Sequence, residues 1–202
     1  MQHYNNYIQL VKQTLDKLNL EELELVKNAL VKAKNSAKSI YIFGNGGSGG
    51  TASHIAGDFV KGASYKEDKK FRFICLNDNF SAIGAISNDI SFDDIFSEQI
   101  KNFANQGDLV IGLSGSGNSV NIVKALEQAK SQGANTIAFS GYSGGKIKEI
   151  ANISVHIPVN DMEIAEDFHL MAFHMIKQSI IKDTSRSLDD MGSKYLDRMS
   201  KS

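Results

Sequence analysis

Two short apolar runs, residues 39–43 and 109–113, each break off into a loop of glycine, serine and asparagine that feeds straight into an amphipathic segment. A chain that repeats this step alternates strands with helices. Apolar residues on consecutive positions suit parallel strands covered on both faces, and the helices that follow supply the cover. Runs at 71–76, 136–139 and 153–159 continue the rhythm, and helices are expected near 49–61, 91–104, 119–132, 146–151 and 162–182. The alternation predicts a doubly wound, three-layer α/β/α sandwich. Pro158, the only proline, falls near the end of the last strand, where a missing N–H costs least.

Residues 1–38 follow a different period. They lack Gly and Pro, and Tyr4, Ile8, Val11, Leu15 and Leu18, then Leu23, Val26, Leu30, Ala33 and Ala37, recur at three- and four-residue steps. Two helices joined near Asn19 are expected, an arm that packs on its own domain or on a neighbouring subunit. Residues 39–183 then form the single α/β domain, and 184–202, polar and weakly periodic, a frayed tail or short surface helix. No internal repeat is present.

Composition removes several classes of function. With 22 basic and 23 acidic side chains the net charge is −1, so nothing draws the chain to nucleic acid or to an anionic membrane. A single cysteine, Cys75, precludes an intramolecular disulfide and a cysteine-rich zinc module, and a reducing cytoplasm fits best. The polar start, Met1-Gln2-His3-Tyr4-Asn5-Asn6, is unlike a signal peptide, and no run approaches the roughly 18 apolar residues of a membrane span.

The loops carry the chemistry. The first reads Gly44-Asn45-Gly46-Gly47-Ser48-Gly49-Gly50, the second Ser114-Gly115-Ser116-Gly117-Asn118-Ser119, and both lead into helices without any Lys or Arg. Glycines let backbone N–H groups approach an anion at a helix's positive end, and hydroxyls add neutral donors, a combination that suits one phosphate monoester. A nucleotide cofactor fits poorly: the spacing departs from G-x-G-x-x-G, no acidic residue closes the second strand, and no Gly-Lys-Ser/Thr follows. His54 and Asp58, four apart, share one helical face, as do Glu166 and His174 two turns apart on the last helix. Acids and imidazoles beside a phosphate pocket can bind a divalent metal or act as acid and base. His169 reads as a core or interface histidine, and Met171 and Met175 as packing. Asn88-Asp89, after a small apolar helix, suits either capping ahead of Ser91 or substrate contact. Gly141-Tyr142-Ser143-Gly144-Gly145 needs no role beyond turning the chain.

Taken together, the 44–48 loop with His54, the stretch AISNDISFDDIF at 85–96, the 114–119 loop and a late His-x4-His pair resemble the sugar isomerase (SIS) domain family, and within it the phosphoheptose isomerases. The likeness is collinear from about residue 1 to 182. It implies a five-stranded parallel sheet of flavodoxin-like kind, a homotetramer with sites at subunit contacts, and zinc in at least some members. The implied reaction interconverts sedoheptulose 7-phosphate and D-glycero-D-manno-heptose 7-phosphate. By position, Ser48, Ser114, Ser116 and Ser119 match the serines that hold the phosphate, with Asn45, Gly46, Gly47 and Gly115 around them. His54 matches a zinc ligand, Asp58 a catalytic glutamate, Asp89 an active-site aspartate, and His174 the catalytic histidine that also meets the metal. Asp58 is one methylene short of Glu, Glu166 stands for Gln, Gly115 for Thr and Thr51 for Asp. The first two changes could compensate, leaving His54, Asp58, Glu166 and His174 around one divalent ion per subunit, with Asp58 or Glu166 as base and His174 opposite. A related sugar phosphate, or a non-catalytic sugar-phosphate sensor or partner-binding module, are the alternatives.

Overall fold

The computed structural model describes residues 1–184. Its strands, β1 (Ser39–Gly44), β2 (Arg72–Cys75), β3 (Leu109–Ser114), β4 (Asn135–Ser140) and β5 (Ile153–His156), pair in parallel in the order β2-β1-β3-β4-β5. That order puts the topological switch between β1 and β3, and open sheets of this kind bind ligands at the carboxyl ends of the strands flanking the switch. Both glycine-serine loops leave the sheet at that edge, from neighbouring strands paired as far as Gly44 and Leu113.

Strand residues alternate between two helical layers, as the two-residue period of a strand requires. Ile40, Ile42, Ile111, Leu113, Ile137, Phe139 and Val155 face α2 (Leu20–Asn35), α3 (Gly46–Gly57) and α8 (Met162–Asp183). Tyr41, Phe43, Val110 and Ala138 face α5 (Ser97–Phe103), α6 (Val120–Ser131) and α7 (Gly145–Ile150). On α8, Phe168, Ala172, Phe173, Ile176 and Ile180 form the buried stripe, and each fully buried aromatic contributes roughly 1.5–3 kcal/mol. That stripe fixes the rotation of α8 and leaves Glu166, His174 and Lys177 along the flank that meets α3 and the turn after it.

The first forty residues divide. Asn19 caps α2 by accepting the Glu21 N–H, and Leu23, Val26, Leu30 and Ala33 enter the core, so α2 belongs to the domain's own helical layer. Helix α1 (Gln2–Leu15) buries Thr14 and leaves Tyr4, Ile8 and Leu15 exposed, and the Tyr7 hydroxyl ties it to Asp167 of α8.

Other departures from the expected elements have local causes. Helix α3 begins at Gly46, three residues earlier than expected, and ends at Gly57, after which Asp58–Ala63 winds as a π-helix. The small helix before Asn88 is α4 (Phe80–Asp89) and takes Asn88 and Asp89 into its last turn. Ser91 caps a 3-10 turn, Phe92–Asp94, by accepting the Asp93 N–H, so the helix expected from 91 begins only at Ser97. Strand β5 stops at His156, opposite Ser140 where its only neighbour β4 ends. Beyond Thr184, the expected polar tail lies outside the described residues.

Candidate functional site: an anion cradle and an imidazole-carboxylate triad

The first glycine-rich segment is the opening turn of α3, so its N–H groups point out of a helix N-terminus. Ser48 donates both its N–H and its Oγ–H to Oε1 of Glu166, each at 3.1 Å. Gly47 allows that approach, since a Cβ there would lie 2.2 Å from Glu166 Oε2. In the second loop Ser114 Oγ lies 3.1 Å from Ser119 Oγ and 3.5 Å from Ser116 Oγ, and it accepts the Gly117 N–H at 3.1 Å. Gly117 has φ +70°, and a Cβ on it would stand 2.0 Å from the Gly144 carbonyl oxygen. The turn after β4 thus braces the loop from behind, and Gly141 N–H adds a 2.8 Å bond to the Gly115 carbonyl. A threonine at 115 would require the flexible Met162 side chain to move, because its Cβ would stand 2.2 Å from Met162 Sδ.

Between the loops lies a cavity of about 240 Å³, lined by Asn45 to Ser48, Leu113 to Ser116, Ser119, Met162 and Glu166. No Lys or Arg lines it, so an anion seated there is held by hydroxyls, N–H groups and the positive end of α3. Asn45 and the buried Asn121 lock the two loops together by reciprocal amide hydrogen bonds of 2.9 Å. Of the residues expected at the substrate, Asp89 is not brought here. It is exposed at the end of α4, accepting a 2.6 Å hydrogen bond from Asn88.

Farther along α3 and α8 a second cluster forms. His54 Nε2 lies 3.3 Å from His174 Nε2, and Asp58 Oδ2 lies 3.4 Å from His174 Nε2 and 3.7 Å from His54 Nε2. Lys177, one turn beyond His174, forms an ion pair with the same Asp58 oxygen. Burial holds the His174 pKa below the ordinary histidine value; Lys177 and His54 push it the same way and Asp58 opposes them. The imidazole is therefore neutral at pH 7 and able to accept a proton or a metal. Among the described residues these three side chains form a group whose ligand atoms all lie within 4.8 Å of one another. Two imidazoles and a carboxylate are a donor set of catalytic zinc sites, and the edge of a tetrahedron with bonds of about 2.0 Å is about 3.3 Å, close to the spacings here. A divalent ion fits the triad.

Glu166 does not complete that shell, contrary to the four-ligand expectation. It sits two turns up α8 from His174, roughly 12 Å along the axis, because the Ser48 donors capture its carboxylate. The shortened Asp58 is matched instead by Lys177, which the sequence reading missed; its signal was the three-residue step from His174. Asn121 and Met162 were missed as well. His169 is buried in the core and meets Phe139 edge-on.

The arrangement has a direction. Ser48 meets Glu166 and Asp58 meets Lys177, so α3 and α8 run side by side the same way, cradle at their N-terminal ends and triad toward their C-terminal ends. Ser48 to His54 is roughly 9 Å of helical rise and Glu166 to His174 roughly 12 Å.

Known proteins repeat this architecture. A family model described as the SIS domain matches residues 3–141. A protein named probable phosphoheptose isomerase from Thermoplasma volcanium is 40% identical over 172 residues, 85% of this chain and 87% of that protein. A phosphoheptose isomerase from Aliarcobacter butzleri is 36% identical over 166 residues, covering 82% of this chain and 87% of its own. The solved phosphoheptose isomerase of Neisseria gonorrhoeae superposes with a TM-score of 0.80 at 27% identity, over 89% of this chain and 95% of that one.

Proposed function

The chain belongs to the SIS-domain family, among its phosphosugar isomerases, and we propose that its own reaction interconverts sedoheptulose 7-phosphate and D-glycero-D-manno-heptose 7-phosphate. The observation that carries this reading is the separation of cradle from triad along two parallel helices. At about 1.2 Å per bond an open-chain heptose 7-phosphate spans about 10 Å from its first carbon to its phosphorus, matching that separation, whereas a triose phosphate falls well short.

Isomerisation moves a proton between neighbouring carbons while the carbonyl shifts, so it needs a base over one face and an acid near the oxygens. In this reading Ser48, Ser114, Ser116 and Ser119 with the α3 N-terminus hold the phosphate and fix the sugar's register. Asp58, oriented by Lys177, takes the proton from one carbon and returns it to the neighbouring carbon, and neutral His174 relays a proton from one oxygen to the other. A Zn²⁺ held by His54, Asp58 and His174, one per subunit, would act as a Lewis acid toward those oxygens. The phosphate contacts lie far from the reacting carbons, so their binding energy serves orientation, and phosphate-free sugar should lose rate as well as affinity.

The assembly in this reading is a homotetramer, formed through the apolar residues that α1 leaves exposed and through α4, which buries no residue and exposes Phe80 at its start and Ile90 just past its end. Asp89 would then face a subunit contact. The enzyme acts in the cytoplasm, where Cys75 stays a buried thiol. No described helix is long and apolar enough to cross a membrane. The test is incubation with sedoheptulose 7-phosphate, with and without Zn²⁺ or Mn²⁺, followed by chromatography for the aldose. The reading expects the aldose from the phosphate ester and none from free sedoheptulose; no aldose under any metal condition would refute it.

A further inference from the structure

The Glu166 carboxylate is placed where a substrate phosphate would need to be. Its Oε1 accepts both Ser48 donors, at the N-terminal turn of α3, and its Oε2 lies against Gly47, where even a methyl group would collide. Glu166 also lines the cavity that the serine loop closes from the other side. A phosphate dianion seeks those same N–H and hydroxyl groups, and it cannot share a small cavity with a carboxylate without strong like-charge repulsion.

We propose that Glu166 is the cavity's resident anion, which caps α3 while the site is empty and which the substrate's phosphate must displace on binding. The proposal rests on the cradle being the phosphate seat. The carboxylate satisfies helix N-terminal donors that would otherwise stay unpaired and complements the helix dipole. An incoming anion must therefore outbid a charge-assisted pair of hydrogen bonds. A monoanion offers no more charge than the carboxylate it replaces, whereas a dianion does, so Glu166 acts as a specificity-determining residue that reserves the seat for phosphate monoesters. It also makes phosphate binding weaker than the donor set alone would give, since part of the binding energy goes to moving Glu166 aside.

The experiment is calorimetric titration of inorganic phosphate into wild-type protein, Glu166→Gln and Glu166→Ala, with Ser119→Ala as a cradle control and thermal melts to confirm folding. Removing the charge is expected to tighten phosphate binding roughly tenfold, and the alanine variant to bind at least as well as the glutamine one. A purely structural role would shift affinity the other way, because losing the α3 cap would loosen the loop. Equal or weaker binding by both Glu166 variants, with Ser119→Ala still impaired, would overturn the resident-anion proposal and leave the cradle standing. Absence of phosphate binding in every protein, including the Glu166 variants, would overturn both.

Discussion

Truncating His174 to alanine removes the one imidazole that faces both His54 and Asp58, at 3.3 and 3.4 Å, and should lower turnover by roughly 10²–10⁴-fold, the usual worth of positioned acid-base catalysis. Sugar-phosphate affinity should stay within a few-fold of wild type, because the cradle is two turns away; steady-state kinetics and calorimetry on His174→Ala check both parts. Wild-type turnover in that variant would remove His174 from the reaction. Single residues were unevenly legible in the sequence. The His54-Asp58 step of four and the three serines of the second loop are visible in the sequence, and the fold brings the first pair to His174 and the serines to a separate cavity. In sequence Glu166 reads as a metal ligand or base, whereas its carboxylate lies on the open donors of Ser48, which only the fold brings beside it. Lys177 went unnoticed for a similar reason: lysine on a helix flank is usually solvated, and its pairing with Asp58 depends on how α8 lies along the α3 end.

Within α8, His169 makes a second test possible. Burial drives its pKa from 6.5 down to about 4, with the nearby Ser140 backbone opposing slightly, and neither ring nitrogen meets a hydrogen-bond partner among the described residues. The folded state holds this imidazole neutral while the unfolded chain protonates it near 6.5, so stability is fully present above that pH and erodes as pH falls toward about 4. The total loss over that window is on the order of 3 kcal/mol, and below it both states are protonated. Urea midpoints measured from pH 7 to pH 4 should fall less steeply in His169→Leu than in wild type; parallel slopes would show that His169 does not titrate on unfolding. Element types were legible wherever an apolar period ran long, as in α2, α6 and α8. Boundaries failed where polar local structure took over, at the Ser91 cap, and where glycines proved compatible with the first helical turn, at Gly46.

For the whole molecule, the alternation of strands and helices carried the sheet and its two layers, because burial on both faces leaves a mark on every strand. The strand order brings the two loops side by side at the switch point. Subunit contacts leave a weaker mark, since an exposed apolar residue reads the same as a buried one in sequence. The faces of α1 and α4 are expected to close in an assembly of four chains, which a light-scattering mass in solution checks; a monomer mass would contradict it. The central claim is that one sugar phosphate bridges cradle and triad, and a crystal structure with sedoheptulose 7-phosphate bound tests it most directly. The account expects the phosphate within hydrogen-bond reach of Ser48, Ser116 and Ser119, Glu166 moved from the Ser48 donors, and the first two sugar carbons beside Asp58 and His174. A phosphate seated elsewhere, or carbons out of reach of that pair, would contradict it.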